Sequence, residues 1–321
     1  MSFQNLLPDL IYQVVSQEGY LPTGTLFPLN SYENRVYEIH LEDHEPLIAK
    51  FYRPDRWTLD AIDEEHRFLE KLEEMEVPVV SPLLLKKPLV PFRFLGKIQE
   101  YPYALFPKFR GREHADFSSE DRQWLGRTLA RLHNIGEHFD CRHRMLLSPE
   151  TYGDASLEFI LNRPFIPSDL KQNIETILKE ALDQIDPFFN ESLQPILLHG
   201  DCHPGNILWN HQGPTLVDFD DMVLAPVVQD LWMLFHGSES EKREQKEAFF
   251  KGYSLFRNFN ENDFILSEPL RTLRMIRHVA WIGQRYDEPL FRKAFPYYEE
   301  HRFWEEFLLS MKEQLSLLYE R

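Results

Sequence analysis

One stretch decides how this chain is expected to fold: His199-Gly200-Asp201-Cys202-His203-Pro204-Gly205-Asn206, with Asp218 twelve residues after Asn206. Short apolar runs precede both acids, so each acid is predicted to follow a buried strand. An aspartate can accept the proton of an attacking hydroxyl, while an asparagine and a second aspartate can bind the Mg²⁺ that bridges nucleotide phosphates. The stretch therefore predicts a phosphoryl-transfer site. Asp201 is its candidate catalytic proton acceptor, Asn206 a metal ligand, and Asp218 both a catalytic and a metal-binding residue.

The spacing His-x-Asp-x-x-x-x-Asn resembles the catalytic loop of protein kinases, and Asp218 stands where their metal-binding aspartate stands. Here residue 200 is glycine where those kinases have arginine, and Asp218 is followed by Phe219-Asp220. These departures resemble the aminoglycoside-phosphotransferase-like branch of the kinase fold. The resemblance implies an α+β, bilobal, protein-kinase-like fold, and it puts regulation through the missing arginine in doubt.

The histidines and the cysteine of this stretch also allow a zinc site, since Cys and His are the usual zinc ligands. No Cys-x-x-Cys or His-Glu-x-x-His spacing occurs, and the chain has two cysteines, Cys141 and Cys202. We therefore expect His199 and His203 to brace the loop, and Cys202 to be a small packed side chain.

The composition is that of an ordinary globular protein, with 321 residues of which 43% are hydrophobic and 27% charged. A formal net charge of −17 argues against nucleic acid or an anionic membrane as the main partner. Two unrelated cysteines suit a reducing compartment. Residues 1–17 lack the features of a signal peptide, and no apolar run is long enough to span a membrane. We therefore expect a cytoplasmic protein.

Hydrophobic periodicity divides the chain into a β-rich front and a helix-rich back. Strands are predicted at 36–41, 47–52, 79–85, 89–94 and 101–106. Helices are predicted at 6–18, 58–75, 118–136, 168–189, 230–256 and 267–286, with Thr58 capping the second. A linker at 107–111 joins the two parts. We expect residues 1–107 to form a nucleotide-binding lobe, and 108–321 a mainly helical catalytic and substrate lobe.

Lys50 closes a strand whose Ala-Lys ending resembles the lysine-bearing strand of kinases, from which the side chain can reach nucleotide phosphates. Glu65 shares one face of the predicted helix 58–75 with its apolar residues. Because a carboxylate in an apolar stripe is costly unless it is paired, we predict that Glu65 binds Lys50. Glu64 lies toward the edge of that face, where it can be solvated. The alternative is that Glu65 reaches solvent and Lys50 is a surface lysine.

No Gly-x-Gly-x-x-Gly motif occurs in the chain to cover the phosphates. The segment in its place is Asn30-Ser31-Tyr32-Glu33-Asn34, directly before a predicted strand. Ser31 can present a hydroxyl to a phosphate, although an ordinary Asx or Ser turn is an alternative. Its position ahead of Lys50 favours contact with the nucleotide.

Further polar residues stand out in the second half. Asp230 opens an apolar helix, where the helix dipole favours an acid. Resemblance to kinase-like families implies that it braces the catalytic loop through backbone N–H groups. A stripe of arginines at three-residue spacing could face an anionic substrate, cap Asp220 and Asp221, or form a solvated helix face. These arginines are Arg271, Arg274 and Arg277.

Four longer stretches carry a resemblance to one family. They are NSYENRVY at 30–37, KFYRPDRW at 50–57, HGDCHPGNILW at 199–209 and QDLWML at 229–234. Together they resemble the bacterial stress response kinase A family over nearly the whole chain. The resemblance implies a cytoplasmic, monomeric serine/threonine protein kinase that uses ATP and Mg²⁺ in a stress response. It implies Asp201 as proton acceptor, with Asn206 and Asp218 as magnesium ligands. Ser31 would belong to the ATP site.

Two classes of acceptor stay open. A protein serine or threonine, including one on this chain itself, uses the same aspartate and metals as a small alcohol such as an aminoglycoside, choline or homoserine. Residue chemistry alone therefore does not separate a protein kinase from a small-molecule kinase. A catalytically inactive binding module is disfavoured, because the full set of polar residues is present: Lys50, Asp201, Asn206 and Asp218.

Overall fold

The computed structural model describes residues 3–114, 116–190 and 193–320. They form two compact units. The first comprises Met1–Arg144, Asp201–Met222 and Met233–Asn258, and the second Met145–Gly200, Val223–Trp232 and Phe259–Arg321. Strands and helices are combined as the α+β prediction requires. The division at residue 107 into functional lobes stays a prediction, because compactness does not say where a nucleotide binds.

The helices are numbered α1 to α10 in chain order. They span Pro8–Gln17, Leu59–Glu74, Ser119–Gly136, Ala155–Leu161, Lys171–Ile185, Val228–Leu231, Glu239–Tyr253, Ser267–Arg285, Pro289–Ala294 and His301–Tyr319. The strands are numbered β1 to β10. They span Pro22–Pro28, Arg35–Leu41, Leu47–Phe51, Gly96–Ile98, Tyr101–Pro107, Arg112–Glu113, Ile196–Leu198, Ile207–Asn210, Gly213–Leu216 and Val223–Ala225.

The first unit contains a five-stranded antiparallel sheet in the order β1-β2-β3-β5-β4. Its central strand, β3, is largely buried, as expected of an apolar run with neighbours on both sides. The predicted strands at 36–41, 47–52 and 101–106 correspond to β2, β3 and β5. The edge strand β1 was not predicted, because Gly24 and two terminal prolines weaken its strand pattern.

Two predicted strands are wrong. The described chain from 79 to 94 forms no strand; it has an isolated bridge between Val79 and Leu216 and single backbone hydrogen bonds, such as that from Leu83 N to the Leu105 carbonyl at 2.7 Å. Prolines at 78, 82, 88 and 91 interrupt this apolar segment. Since proline has no N–H to donate, it cannot continue the hydrogen-bond ladder of a sheet.

Capping residues set the helix boundaries in the first unit. Thr58 caps α2 as predicted, and its hydroxyl accepts a hydrogen bond of 3.1 Å from Ala61 N. The continuous helix expected at 230–256 is instead broken. Gly237 has a φ of 94°, and Ser238 then caps α7 with a capping box. Helix α6 ends at Leu231 and a short 3₁₀ helix follows at Trp232–Leu234, so the first helical run stops before Gly237, and Ser238 starts the second.

The first unit also contains a three-stranded sheet in the order β6-β8-β9, and its strand β8 begins directly after Asn206. Strands β8 and β9 form a hairpin that pairs Ile207 with Leu216. Because Asn206 precedes β8 and Asp218 follows β9, the hairpin brings both residues to its open end.

The second unit is mainly helical. Helices α4, α5, α8 and α10 bury a continuous apolar core that includes Leu178, Leu273, Tyr298 and Trp304. The short antiparallel pair β7 and β10 joins this core. No helix in the described part of the chain combines the length and apolar character needed to cross a membrane.

Candidate active site

Lys50 lies on the central strand β3, opposite Val36 on β2 and Ala104 on β5. Its ammonium is almost completely buried and lies 3.2 Å from Glu65 Oε1 on α2. The predicted ion pair is therefore confirmed, and the alternative of a surface lysine is wrong. The contact of this pair with a nucleotide stays a prediction.

Glu65 is held from both sides. The Tyr52 hydroxyl donates to Glu65 Oε1 at 3.3 Å, and Arg144 Nη2 donates to Glu65 Oε2 at 2.9 Å. The Arg144 guanidinium is completely buried. It also donates to the backbone carbonyls of Ala61 at 2.9 Å and Asp220 at 2.7 Å. Arg144 thereby fixes the Glu65 side chain, its helix α2 and the segment after Asp218 together.

Glu64 is not at a solvated edge, as the sequence had suggested, but is buried. Its carboxylate accepts backbone hydrogen bonds from Arg142 at 2.7 Å, His143 at 2.9 Å and Arg144 at 3.1 Å. The chain at 142–144 covers this side of α2, which helix periodicity cannot reveal. The two neighbouring acids of α2 therefore have different roles. Glu64 binds the backbone of residues 142–144, and Glu65 pairs with Lys50.

Three carboxylates surround the Lys50 ammonium. Asp220 Oδ1 lies at 3.4 Å and Asp218 Oδ1 at 3.5 Å, in addition to Glu65. Burial by itself lowers the pKa of Lys50, but the negative charges of Asp220, Glu65 and Asp218 outweigh it and raise the pKa well above the ordinary value. Lys50 is therefore a charged ammonium at neutral pH.

Residues 218–221 form a turn with three aspartates, Asp218, Asp220 and Asp221. This segment is called the acidic turn below. Arg56 binds the last two of these: Nη1 contacts Asp220 Oδ2, and Nη2 donates to Asp221 Oδ1 at 2.5 Å. Burial raises the pKa of Asp220, but the cations Arg56, Lys50 and Arg144 outweigh it, so the pKa lies below its ordinary value. Asp220 is therefore ionised although it is buried.

The arginine stripe of α8 has other contacts. Arg271 lies 5.5 Å from the Trp232 ring centroid and 3.6 Å from Glu268, and Arg277 lies 3.8 Å from the Tyr152 ring centroid. Arg56 contacts both Asp220 and Asp221, and the suggestion that the stripe caps these acids stays a prediction. The suggestion that the stripe faces an anionic substrate stays a prediction.

A buried histidine supports Tyr52. The Tyr52 hydroxyl lies 2.8 Å from His66 Nε2, and burial, followed by the charges of Lys50 and Arg144, lowers the pKa of His66 to about 3. His66 is therefore neutral at physiological pH. A neutral ring with a proton on Nε2 donates to Tyr52 and leaves that hydroxyl to donate to Glu65.

The two candidate metal ligands meet at the open end of the β8–β9 hairpin. Val217 N donates to the Asn206 carbonyl at 3.1 Å, which places Asn206 beside the residue that precedes Asp218. Asn206 Nδ2 donates to the Asp201 carbonyl at 2.9 Å. Asp218 has a left-handed φ of 62°, and its carboxylate is exposed. The local backbone thus presents an amide and a carboxylate from adjacent strand ends.

Asp201 lies in the loop between β7 and β8, with His203 Nε2 at 3.6 Å from its Oδ2. His203 Nδ1 accepts a hydrogen bond of 3.0 Å from Gly205 N and so caps the short turn before β8. The predicted bracing role of His203 is confirmed. Cys202 is completely buried, as expected of a packed side chain. The role of Asp201 as proton acceptor stays a prediction.

Asp230 braces the backbone that leads into the catalytic loop, as expected. Its two carboxylate oxygens accept hydrogen bonds from His199 N at 3.0 Å and Gly200 N at 2.8 Å. Gln229 Nε2 adds a bond of 2.7 Å to the Gly200 carbonyl. These bonds hold the left-handed Gly200, whose φ is 85°.

Ser31 lies in the loop between β1 and β2, residues 29–34, which is called the β1–β2 loop below. Asn34 Oδ1 accepts a hydrogen bond of 3.1 Å from Arg53 N, and Arg53 Nε donates to Glu33 Oε1 at 2.7 Å. The loop is therefore fixed to the chain that leaves β3. Contact between Ser31 and a nucleotide stays a prediction.

Sequence reasoning missed several residues of this site: Tyr52, Arg56, His66, Arg144 and Asp220. Their contacts join distant segments, and Arg56 and Arg144 also lie outside regular elements, where charged residues have no periodic pattern. Arg56 does lie in the stretch KFYRPDRW, whose family resemblance was the one signal that could have drawn attention to it.

Comparison with known proteins identifies the family of this chain. A model of the phosphotransferase enzyme family matches residues 25–263. Stress response kinase A of Escherichia coli is 36% identical over 319 residues, which cover 99% of this chain and 95% of that protein. The chain belongs to the stress response kinase A family of phosphotransferases. A further member, serine/threonine protein kinase RdoA of Salmonella typhimurium, is 35% identical over the same shares of the two chains. The protein is accordingly an enzyme of the kinase type.

Solved structures show how the family fold is shared. An amicoumacin kinase in complex with AMP-PNP and Ca²⁺ has a TM-score of 0.73 at 18% identity, covering 94% of this chain and 93% of that one. A microcompartment-associated aminopropanol kinase has a TM-score of 0.70 at 18% identity, covering 98% and 99%. At these identities the likeness concerns the fold. It confirms the kinase-like class expected for this member of the stress response kinase A family.

Proposed function

We propose that this phosphotransferase is an ATP- and Mg²⁺-dependent serine/threonine protein kinase that acts in a bacterial stress response. The observation that carries the proposal is the chain of contacts from Glu65 to Lys50 at 3.2 Å and from Lys50 to Asp218 at 3.5 Å. Phosphoryl transfer requires a cation for the phosphates next to a carboxylate for the metal. The names of the stress response kinase A and RdoA relatives support the protein-kinase assignment.

The nucleotide side of the proposal rests on Lys50 and the β1–β2 loop. Lys50 remains charged and is oriented by Glu65, so it can bind phosphate oxygens as a fixed point charge. Ser31 is proposed to contact the phosphates from the loop. Related folds solved with AMP-PNP and with ADP support the use of a purine nucleotide. We infer ATP as the donor.

The residues at the hairpin end fit a magnesium ion. Mg²⁺ prefers hard oxygen ligands and retains several waters, so a carboxylate and an amide oxygen suffice when phosphates supply further ligands. Because the Asn206 amide nitrogen donates to the Asp201 carbonyl, its oxygen is the atom left for a cation. Asp218 presents an exposed carboxylate nearby. When bound there, Mg²⁺ would neutralise charge on the phosphates.

Asp201 is the proposed acceptor of the substrate hydroxyl's proton. The bond from Asn206 Nδ2 to the Asp201 carbonyl fixes the acceptor and the metal ligand in one loop. In phosphoryl transfer most of the catalysis comes from positioning and charge, so a carboxylate that merely orients the hydroxyl is sufficient. His203, 3.6 Å from Asp201, helps to keep the carboxylate in place.

The acceptor class decides between a protein kinase and a small-molecule kinase. Purified protein is incubated with labelled ATP and Mg²⁺, first with generic protein acceptors and then with aminoglycoside, choline and homoserine, and Asp218→Asn serves as the inactive control. We expect phosphoserine or phosphothreonine by mass spectrometry, on added protein or on this chain itself. Rapid labelling of an alcohol without labelled protein would replace the proposal with a small-molecule kinase.

The proposal includes a monomer that acts in the cytoplasm, which resemblance to the stress response kinase A family supports. Light scattering after size-exclusion chromatography should give one species near 38.4 kDa. A stable dimer would contradict this part of the proposal and leave the chemistry unaffected.

A further inference from the structure

Arg56 connects two segments to which the proposed function assigns different ligands. Its guanidinium is nearly buried and contacts Asp220 and Asp221 of the acidic turn. Nη1 also lies 3.7 Å from Glu33 Oε2 in the β1–β2 loop. Arg56 therefore lies between the proposed nucleotide loop and the segment that carries the proposed metal ligand Asp218.

The loop end of this connection is well defined. Arg53, three residues before Arg56, donates from Nε to Glu33 Oε1 at 2.7 Å and to the Glu33 carbonyl at 3.1 Å. Arg53 N donates to Asn34 Oδ1 at 3.1 Å. Glu33 is thus positioned from one side by Arg53 while its other oxygen faces Arg56.

The turn end is equally specific. Arg56 uses separate nitrogens for Asp220 and Asp221, which only a planar guanidinium can do from a fixed position. A lysine keeps the charge, but all three of its N–H donors lie on one nitrogen and cannot reproduce the spacing of the two guanidinium nitrogens. Without the guanidinium, less positive charge would lie between the carboxylates of Glu33, Asp220 and Asp221. Repulsion among these carboxylates would then separate the β1–β2 loop from the acidic turn.

We propose that Arg56 is a positioning residue that couples nucleotide binding at the β1–β2 loop to metal binding at Asp218. The inference rests on the proposed function, since it takes the nucleotide and metal roles of these segments from there. A ligand that orders either segment favours the arrangement of the other through Arg56. Such coupling is reciprocal, so Mg²⁺ tightens nucleotide binding by the same factor by which nucleotide tightens Mg²⁺ binding.

The test measures this factor directly. The dissociation constant of a fluorescent ATP analogue is titrated with and without Mg²⁺ in the wild-type chain, in Arg56→Lys, and in Arg93→Lys. The last makes the same substitution in an exposed ion pair with Glu70. We expect Arg56→Lys to reduce the tightening by Mg²⁺ at least about five-fold, with metal-free affinity within about three-fold of wild type. Arg93→Lys should match wild type.

The tightening factor is the ratio of the nucleotide dissociation constants without and with Mg²⁺. If this factor is unchanged in folded Arg56→Lys, the inference is overturned. It is also overturned if only the metal-free affinity falls, since that result indicates a structural role alone. If Arg56→Lys does not fold, Asp221→Asn removes one arm at a partly exposed position. The tightening factor should then fall by a smaller amount, and an unchanged factor would again overturn the inference. If the wild-type chain shows no Mg²⁺-dependent nucleotide binding, both the proposed function and this inference fail.

Discussion

The region around Lys50 and the region around Asp201 and Asp218 are built in opposite ways. The side chains of Lys50 and Glu65 are 9% and 1% exposed, whereas those of Asp201 and Asp218 are 23% and 56% exposed. The first region already contains its own counter-charges. The second presents oxygen atoms to solvent, where its proposed partners, a metal and a hydroxyl, would arrive. The charges of Lys50 and Glu65 are thus held in place before a ligand binds, whereas those of Asp201 and Asp218 are accessible to one.

This difference predicts how each region responds to mutation. Removing one member of a buried, paired set leaves the remaining charges desolvated, so the cost appears in stability. Changing an exposed carboxylate leaves the packing intact, so the cost appears in chemistry. Four experiments test the comparison.

The largest expected effect is the loss of phosphoryl transfer in Asp201→Asn. Amide replaces carboxylate with almost the same shape, so nucleotide affinity should stay within about three-fold, while turnover falls by roughly a hundred- to ten-thousand-fold, as for loss of a general base. Single-turnover assays and nucleotide titration measure the two quantities. Retained turnover in a folded variant would rule out Asp201 as the proton acceptor.

Lys50→Met should produce the largest loss of stability. It leaves Glu65 and Asp220 buried with one cation fewer, and breaking a buried pair costs about 3–5 kcal/mol. Asp218→Asn, which tolerates the left-handed backbone and leaves Glu65 and Asp220 beside Lys50, should lower the free energy of unfolding by no more than about 1 kcal/mol. Urea denaturation followed by fluorescence compares them. Equal losses in both variants would contradict the division between the two regions.

Adjacent acids on α2 provide a sharper test. Glu64→Gln weakens the acceptor of three backbone N–H groups, so it should reduce stability by about 1–3 kcal/mol with turnover unchanged in the folded fraction. Glu65→Gln should reduce turnover, with a coupling to Lys50→Met of about 0.5–3 kcal/mol in a double-mutant cycle. Additive effects of Glu65→Gln and Lys50→Met would count against a functional pair.

The last prediction concerns the dependence of stability on pH. The pKa of His66 is about 3 in the folded chain, against 6.5 in its ordinary state. Between these values the unfolded chain binds a proton that the folded chain does not, so stability falls as pH drops below about 6.5. The contribution is roughly 1.4 kcal/mol per pH unit. His66→Gln should remove that part of the slope between pH 6.5 and 4.5. The same slope in both proteins would show that His66 titrates normally.

Sequence reasoning succeeded where a pattern was local and periodic. The position of Glu65 on an apolar face predicted its pairing with Lys50, and the apolar runs before Asp201 and Asp218 predicted the buried strands β7 and β9. The catalytic and ligand-binding roles of these residues stay predictions, because they concern molecules outside the chain.

Most of the failures, those at Glu64, Arg56 and Arg144, come from contacts between distant segments, whereas the wrong strands have a local cause. Burial of Glu64 depends on residues 142–144, which meet α2 from a distant part of the chain. The strands expected at 79–85 and 89–94 were wrong because apolar content was given more weight than the prolines between them. Arg56 and Arg144 lie in irregular segments, where neither spacing nor composition indicates which carboxylate each will bind. Contacts between irregular segments require the folded structure.

Arg144 is also a position at which an added small molecule can control the arrangement of the site. The variant Arg144→Ala would have a cavity of the size of a guanidinium group. Glu65 would line this cavity, and the carbonyls of Ala61 and Asp220 would be hydrogen-bond acceptors in it. A small cation of that shape, added to the buffer, could restore the missing contacts without altering any residue expected to touch the nucleotide. The buried arginine thus marks a place where a chemical switch could be engineered into this kinase.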